Sequence, residues 1–79
     1  MLRTIKLVNG DNISIFEAEK ISIISSEEAG VPPMENNNKI IVFKTASQEV
    51  KFRAENDKRT QKIFDDISAD IDAYVIKRQ

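Results

Sequence analysis

The chain has 79 residues, of which 12 are basic and 13 acidic, so its formal net charge is −1. Such a chain creates no overall field that attracts nucleic acid or an anionic membrane, although a local patch of charge still can. The absence of cysteine and histidine excludes disulfides, thiol chemistry and the usual zinc ligands. Small domains often need stabilisation beyond their own core, and oligomerisation is the means that remains.

The N-terminal residues 1–6 contain no apolar run typical of a secretion signal. No segment approaches the length of a membrane span. The lack of cysteine also agrees with a cytoplasmic location. We therefore expect a cytoplasmic protein without a membrane partner.

A β-hairpin is predicted at the start of the chain. Residues 2–8 form its first strand, although both faces of this strand are mixed. Asn9-Gly10 then forms a tight turn, because both residues tolerate positive φ. The return strand covers residues 12–16, and we expect its Ile13 and Ile15 side chains to face the interior.

A third strand is predicted over residues 21–25, where β-branched residues are frequent. Residues 26–38 then form the one long loop, because two prolines, a glycine and three consecutive asparagines interrupt any periodic pattern. Loops of this length are either functional or disordered, so a mobile connector and a binding element both remain open. If the loop binds a partner, the residues expected to contact it are Val31, Pro32, Pro33 and Met34.

Two further strands, over residues 39–45 and 49–54, are separated by a short turn. After them the spacing of the apolar residues changes from two to three or four, which predicts an amphipathic helix over residues 57–77. Asn56 or Asp57 caps its N-terminus. At its C-terminal end Lys77 and Arg78 complement the helix dipole. The apolar stripe of this helix consists of Ile63, Phe64, Ile67, Ile71, Tyr74 and Val75.

Together these elements predict one α+β domain over residues 1–79. Short turns join most of the strands, which makes the sheet antiparallel. A five-strand sheet with apolar faces must also curl to hide its edges and fill its interior. We therefore expect a five-stranded antiparallel, strongly bent sheet or partial barrel, capped by one C-terminal amphipathic helix.

The segment 49–67 resembles the C-terminal end of pleckstrin-homology-like (PH-like) domains. In that family a last strand ends in a short bend, and an amphipathic helix with an aromatic residue about one-third along it follows. Ala54-Glu55-Asn56 takes the place of the bend and Phe64 that of the aromatic residue. The resemblance implies a PH-like fold. It does not imply phosphoinositide binding, because lipid-binding members carry basic residues in the first hairpin, where this chain has residues 9–12, Asn-Gly-Asp-Asn.

A basic cluster surrounds the predicted start of the helix. Cations in the first turns of a helix oppose its dipole, so local electrostatics does not favour them and an anionic partner would relieve their cost. The free amides of a helix N-terminus also attract anions. The alternative interpretation is an ordinary solvated face. The cluster consists of Lys51, Arg53, Lys58, Arg59 and Lys62.

Little in the sequence indicates catalysis or metal binding. Asp66 and Asp70 lie four residues apart on one face of the predicted helix, a spacing that could hold a divalent ion. No further ligand motif completes a site, so we interpret the pair as part of a solvated face. No histidine is present to activate a serine, and there is no glycine-rich phosphate loop. We therefore expect no metal, no cofactor and no enzymatic activity.

The function predicted from the sequence is that of a small non-catalytic interaction module. It would bind an unidentified protein partner, or a second copy of itself as a homo-oligomer, through a strand edge or through the loop at 26–38. The alternative is the binding of an anionic ligand or nucleic acid by the basic cluster. Nucleic acid is not favoured, because it normally requires aromatic side chains free for stacking.

Overall fold

The computed structural model describes residues 2–69 and 71–78. Within these residues the chain forms six β-strands and two α-helices. The strands are β1 (Arg3–Asn9), β2 (Asn12–Ala18), β3 (Lys20–Ser25), β4 (Lys39–Lys44), β5 (Glu49–Phe52) and β6 (Ala73–Arg78). The helices are α1 (Ser26–Ala29) and α2 (Asp57–Ser68).

The six strands form two three-stranded sheets, which we call sheet A and sheet B. In sheet A, β1 lies between β2, which runs antiparallel to it, and β6, which runs parallel. In sheet B, β4 lies between β3 and β5 and is antiparallel to both. Only Glu19 separates β2 from β3, and its main-chain N–H donates to the carbonyl of Lys44 at 2.7 Å. The two sheets therefore meet at this corner.

The prediction of a five-stranded antiparallel sheet, bent or partly closed into a barrel under one C-terminal helix, is wrong. The described residues form two separate sheets, one of them mixed, and no closed barrel. The strand absent from the prediction is β6, whose parallel partner β1 lies at the other end of the chain. Parallel strands are joined by long crossover connections, so no pattern within a short window reveals this pairing.

The helix predicted over residues 57–77 ends at Ser68. Ile71 and Tyr74 fit the spacing of a helical stripe, but the residues from Tyr74 to Ile76 also alternate as they would in a strand. In β6, Ile76 is 2% exposed whereas Val75 is 50% exposed. The side chains therefore alternate as in a strand, with Ile76 buried and Val75 exposed. The predicted burial of Val75 is wrong.

The start of α2 lies where the sequence placed it, and the cap is Asn56. Its Oδ1 accepts a hydrogen bond from the main-chain N–H of Arg59 at 2.8 Å. Asp57, the other candidate cap, fastens the chain before β4 to this helix instead. Its Oδ1 accepts hydrogen bonds from the N–H groups of Asn38 at 2.6 Å and Lys39 at 2.9 Å.

The main core lies between the two sheets and α2. Ile63 and Ile67 of α2 are 3% and 0% exposed, so the apolar stripe of the helix packs inward over these residues. Phe16 of β2 and Phe43 of β4 meet edge to face, with ring centroids 5.4 Å apart, and so join the two sheets. The buried residues of this core are Ile5, Ala18, Ile41, Phe43, Phe52, Ala54, Ile63, Ile67 and Ile76.

The face of β2 that packs on the core is the opposite of the one predicted. Ile13 and Ile15, expected to face the interior, are 58% and 62% exposed. Phe16 packs on the core instead, directly opposite Ile5 of β1. Both faces of β2 carry apolar residues, and packing against Phe43 of the other sheet selects the aromatic one. This leaves an apolar surface on the outside of sheet A.

The segment at 26–38, predicted as a loop, begins with the short helix α1. Ser25 caps this helix, and Gly30 ends it in the left-handed conformation with φ of 71°. The rest of the segment lies against neighbouring elements. The N–H of Asp57, for example, donates to the carbonyl of Asn36 at 2.9 Å. The segment is thereby held beside β5 and the start of α2.

Candidate binding groove

A groove of about 1180 Å³ lies between β5, an edge strand of sheet B, and β6, an edge strand of sheet A. Small-molecule sites have volumes of roughly 300–1,000 Å³, so this groove is large enough for a segment of polypeptide. Its walls come from the ends of β1, β5 and β6, from the chain between α1 and β4, and from the first turn of α2.

The inner part of the groove is apolar. Ile40, Phe52 and Ile76 line it and are 3%, 7% and 2% exposed, so they lie at its base. Val31 and Met34 line it from the segment after α1, and Met34 is 55% exposed. A ligand that covers the exposed side chain of Met34 would therefore remove apolar surface from water, which contributes about 25 cal/mol per Å².

The border of the groove is strongly basic. Among the described residues that line it, five carry a positive charge and only Glu55 carries a negative one. Glu55 lies 3.4 Å from Arg59 and offsets part of that charge. Positive charge is thus concentrated here on a chain whose formal net charge is −1. The five cations are Lys51, Arg53, Arg59, Lys77 and Arg78.

The structure divides the basic cluster that the sequence predicted. Lys51, Arg53 and Arg59 border the groove. Lys58 and Lys62 lie on a different surface of α2, away from it. The reason is helical geometry, since residues four apart share a face whereas adjacent residues are about 100° apart around the axis. The cluster is therefore not a single site.

Two cations of the groove, Lys77 and Arg78, were predicted to lie at the end of a helix. Strand β6 carries them to the groove instead. The one available signal was the composition of the preceding residues, Tyr74, Val75 and Ile76, which is typical of a strand. Sequence reasoning missed it because Tyr74 and Val75 also continue the helical stripe.

Arg78 reaches across the groove from β6 to β5. Its guanidinium lies over the ring of Phe52, 4.7 Å from the centroid, as a cation–π contact. Its Nη2 also donates to the main-chain carbonyl of Arg53. Arg59 makes a similar contact with the opposite strand, where its Nη2 is 3.4 Å from the carbonyl of Lys77. Arginine side chains thus bind one main-chain carbonyl of β6 and one directly after β5.

The loop residues predicted to bind a partner lie at this same groove. Val31 and Met34 line it, as noted above, and Arg53 donates through Nη1 to the carbonyl of Pro32 at 2.7 Å. Pro33 follows and is exposed. The two candidate sites of the sequence, the loop and the basic cluster, therefore meet through Arg53.

Asn37 is a member of the groove that the sequence did not indicate. It is 4% exposed, and its Nδ2 donates to the main-chain carbonyl of Ala54. This contact orients the amide, because the reversed amide would place two oxygens together. The Asn37 Oδ1 has no hydrogen-bond partner among the described residues. An unpaired buried acceptor costs about 1–3 kcal/mol, and an N–H donor in the groove would remove that cost.

On the other face of α2, the positive charge of Lys62 is paired with the carboxylate of Asp66. Asp66 accepts hydrogen bonds from Lys62 Nζ at 2.8 Å and from Tyr74 Oη at 3.1 Å. Lys62, and then Tyr74, lower the pKa of Asp66. The hydrogen bond and charge of Asp66 raise the pKa of Lys62. Burial, followed by the hydrogen bond to Asp66, raises the pKa of Tyr74. Lys62 is therefore already paired with a carboxylate.

Of the aspartate pair considered as metal ligands, Asp66 makes the contacts just described and Asp70 lies outside the described residues. Within residues 2–69 and 71–78, no group of three or more acidic side chains is placed to hold a metal ion. In the same part of the chain, no helix is long and apolar enough to cross a membrane.

Comparison with known proteins adds nothing to this geometry. No family model, no curated protein and no solved structure matches the chain. The resemblance to PH-like domains therefore stays a prediction.

Proposed function

We propose that this protein is a non-catalytic interaction module that binds a short acidic segment of a partner protein in the groove between β5 and β6. The observation that carries the proposal is a border of five cations around an apolar base. This combines the two functions that the sequence left as alternatives, because the strand edges, the loop and part of the basic cluster surround the same groove. A cytoplasmic location stays a prediction.

Charge and apolar surface together favour a polypeptide ligand. Carboxylates would relieve the repulsion between neighbouring cations, and their contacts with arginine are charge-assisted hydrogen bonds. Apolar side chains of the same segment would cover Met34, which is exposed on the wall of the groove. A simple inorganic anion would use the charges but not the apolar surface.

Nucleic acid fits the groove less well. Its binding normally includes stacking of bases on exposed aromatic rings. The four phenylalanines and the tyrosine of this chain are all buried or half-buried. Phe52, the one aromatic side chain among the described residues that line the groove, is covered by Arg78. The experiment below therefore compares the binding of an oligonucleotide with that of the acidic peptide.

The probe for this proposal is a labelled peptide of about eight residues in which glutamate and valine alternate, a length typical of a strand. Replacement of two groove cations, Arg59→Glu with Lys77→Glu, should lower its affinity about tenfold or more, measured by fluorescence anisotropy. The matched control is Lys20→Glu with Lys58→Glu, which changes the net charge equally outside the groove.

Three outcomes would contradict the proposal. The first is unchanged probe binding by the groove variant, and the second is an equal loss of affinity in the control variant. The third is tighter binding of a single-stranded oligonucleotide than of the acidic peptide at the same salt concentration, with a steep dependence on salt.

A second candidate function, self-association, is favoured by the outer surface of sheet A. β2 is an edge strand, and an exposed edge with apolar side chains is prone to pair with another strand. We propose a second copy of the chain as the occupant, because antiparallel pairing of β2 with its own copy brings identical apolar residues together around a two-fold axis. Side chains alternate between the two faces of each strand, and the exposed apolar residues on this outer face are Leu2, Ile13, Ile15 and Val75.

A further inference from the structure

We infer that the acidic segment binds as an added β-strand, pairing through its main chain with the open edge of β5 in the groove. The inference rests on the function proposed above and adds the mode of recognition. Strand addition is a common way to bind an extended peptide, in which main-chain hydrogen bonds supply affinity and alternate side chains supply specificity.

The register of sheet B leaves alternate main-chain groups of β5 directed away from β4. The N–H of Thr45 donates to the carbonyl of Gln48 at 2.8 Å and closes the turn between the two strands. In an antiparallel pair, every second residue exchanges both of its main-chain bonds with the neighbouring strand. Counting from this turn, Phe52 is directed to β4. Lys51 of β5 therefore presents its N–H and C=O groups to the groove, and Arg53, directly after the strand, continues this alternation.

The contact of Arg78 shows that the main chain directly after β5 accepts a hydrogen bond from the side of the groove. Its guanidinium donates to the carbonyl of Arg53, where the N–H of a neighbouring strand would otherwise bind. An added strand would replace this bond with one of its own. The released guanidinium could then pair with a carboxylate of the same segment, which is the stronger, charge-assisted kind of hydrogen bond.

Asn37 supplies an independent observation in favour of a main-chain ligand. Its buried Oδ1 lacks a partner among the described residues and requires a donor. Carboxylates and phosphate anions offer only acceptors, whereas each peptide unit except proline offers an N–H. Asn37 also contacts the carbonyl of Ala54, directly after Arg53. The unpaired acceptor therefore lies near the end of the open edge.

The faces of the two edge strands define which peptide would fit. Side chains alternate between the faces of a strand, so Lys51 lies on the face of β5 opposite to Phe52. Arg53, directly after the strand, contacts Pro32, as Lys51 contacts Ala29. In β6, Lys77 likewise lies opposite to Ile76, which is buried. A strand added to β5 would place one set of side chains beside the cations and the other beside the apolar base. The expected ligand therefore alternates acidic and apolar residues.

The test uses the unaltered protein and the glutamate–valine peptide described above, with N-methyl groups placed on the main chain. One derivative carries them on the glutamates and a second carries them on the valines, so both keep the same charge. In an added strand only one of the two sets donates to β5. We expect one derivative to lose affinity about tenfold or more and the other to remain close to the parent peptide.

A second measurement reports on the protein side. Amide hydrogen exchange followed by NMR should slow at Lys51 and Arg53 when the unmodified peptide binds. Exchange at Phe52, whose N–H is already bonded within sheet B, should change little. This readout follows the alternation of the strand, which binding by side chains alone would not reproduce.

The outcomes separate the inference from the proposed function. Equal affinities of both derivatives, or equal losses, would overturn strand addition, as would an absence of protection at Lys51 and Arg53. If the parent peptide still depends on Arg59 and Lys77 in that case, the groove binds acidic segments by side-chain contacts and the proposed function stands. If the parent peptide does not bind, both are overturned.

Discussion

Shortening Ile76 tests the feature on which the groove depends, which is the existence of β6. In the structure Ile76 is 2% exposed within the core, whereas its neighbour Val75 is 50% exposed. The helix predicted over residues 57–77 would bury Val75 on its apolar stripe instead. The two arrangements therefore assign opposite costs to neighbouring residues, and we propose to compare Ile76→Val with Val75→Ala.

The expected magnitude follows from the burial. Ile→Val at a fully buried site typically costs about 0.5–1.5 kcal/mol, which a domain of this size should survive. At about 4–8 °C per kcal/mol, this lowers the Tm by several degrees. Val75→Ala at a half-exposed position should cost about 0.5 kcal/mol or less. Ile76→Ala would cost about 2–5 kcal/mol and serves as the stronger form of the test.

Urea denaturation followed by far-ultraviolet circular dichroism gives the free energy of unfolding of each variant. The variants should differ in the urea concentration at the unfolding midpoint. The slope of the unfolding free energy against urea concentration should not change, because this slope reports the surface exposed on unfolding. If Val75→Ala lowered the free energy of unfolding more than Ile76→Val, residues 73–78 would not form β6. The helix predicted from the sequence would then be the better description. The groove, which β6 borders, would then lose one of its walls.

Two further variants test other surfaces of the protein. The replacement Asp66→Asn should lower the pKa of Tyr74 towards its ordinary value of 10.0, although not fully, because burial is the larger cause of the shift. Tyr74 is the only tyrosine and tryptophan is absent, so phenolate absorbance reports this titration directly, and an unchanged midpoint would contradict the contact. Because the folded-state pKa of Asp66 lies below 3.8, its contribution to stability is present above that pH and disappears as the pH falls through the lowered pKa. The variant should therefore lose less stability than the parent on acidification, as measured by Tm. Ile15→Lys should reduce self-association, seen as a lower mass in sedimentation at the higher of two concentrations; a parent chain that stays monomeric at both would contradict the second candidate function.

Local signals were sufficient where the controlling contact lies within a few residues. Helix α2 begins directly after Asn56, because the Asn56 side chain accepts a hydrogen bond from the N–H of Arg59, three residues on. The first hairpin forms at Gly10, whose φ of 62° suits a glycine, although the turn is centred on Gly10-Asp11 rather than on Asn9-Gly10. Both contacts are short in sequence, and turn or capping residues mark them.

The groove shows the opposite case. Lys51, Arg53 and Arg59 could be identified as unusual from the sequence, because cations near a helix N-terminus work against its dipole. Their partners in the groove, Lys77 and Arg78, could not, because their position depends on pairing with β1 at the far end of the chain. The role of the residues after α1 was open for the same reason.

Sequence by itself determined the type of this protein: a small chain without cysteine or histidine, with β-strands ahead of an amphipathic helix and a surplus of cations around its start. Only the tertiary structure decided where that helix ends, which face of β2 is buried and which cations share a surface. These depend on contacts between residues far apart in the chain. Short periodic patterns are compatible with more than one such set, and packing selects between them.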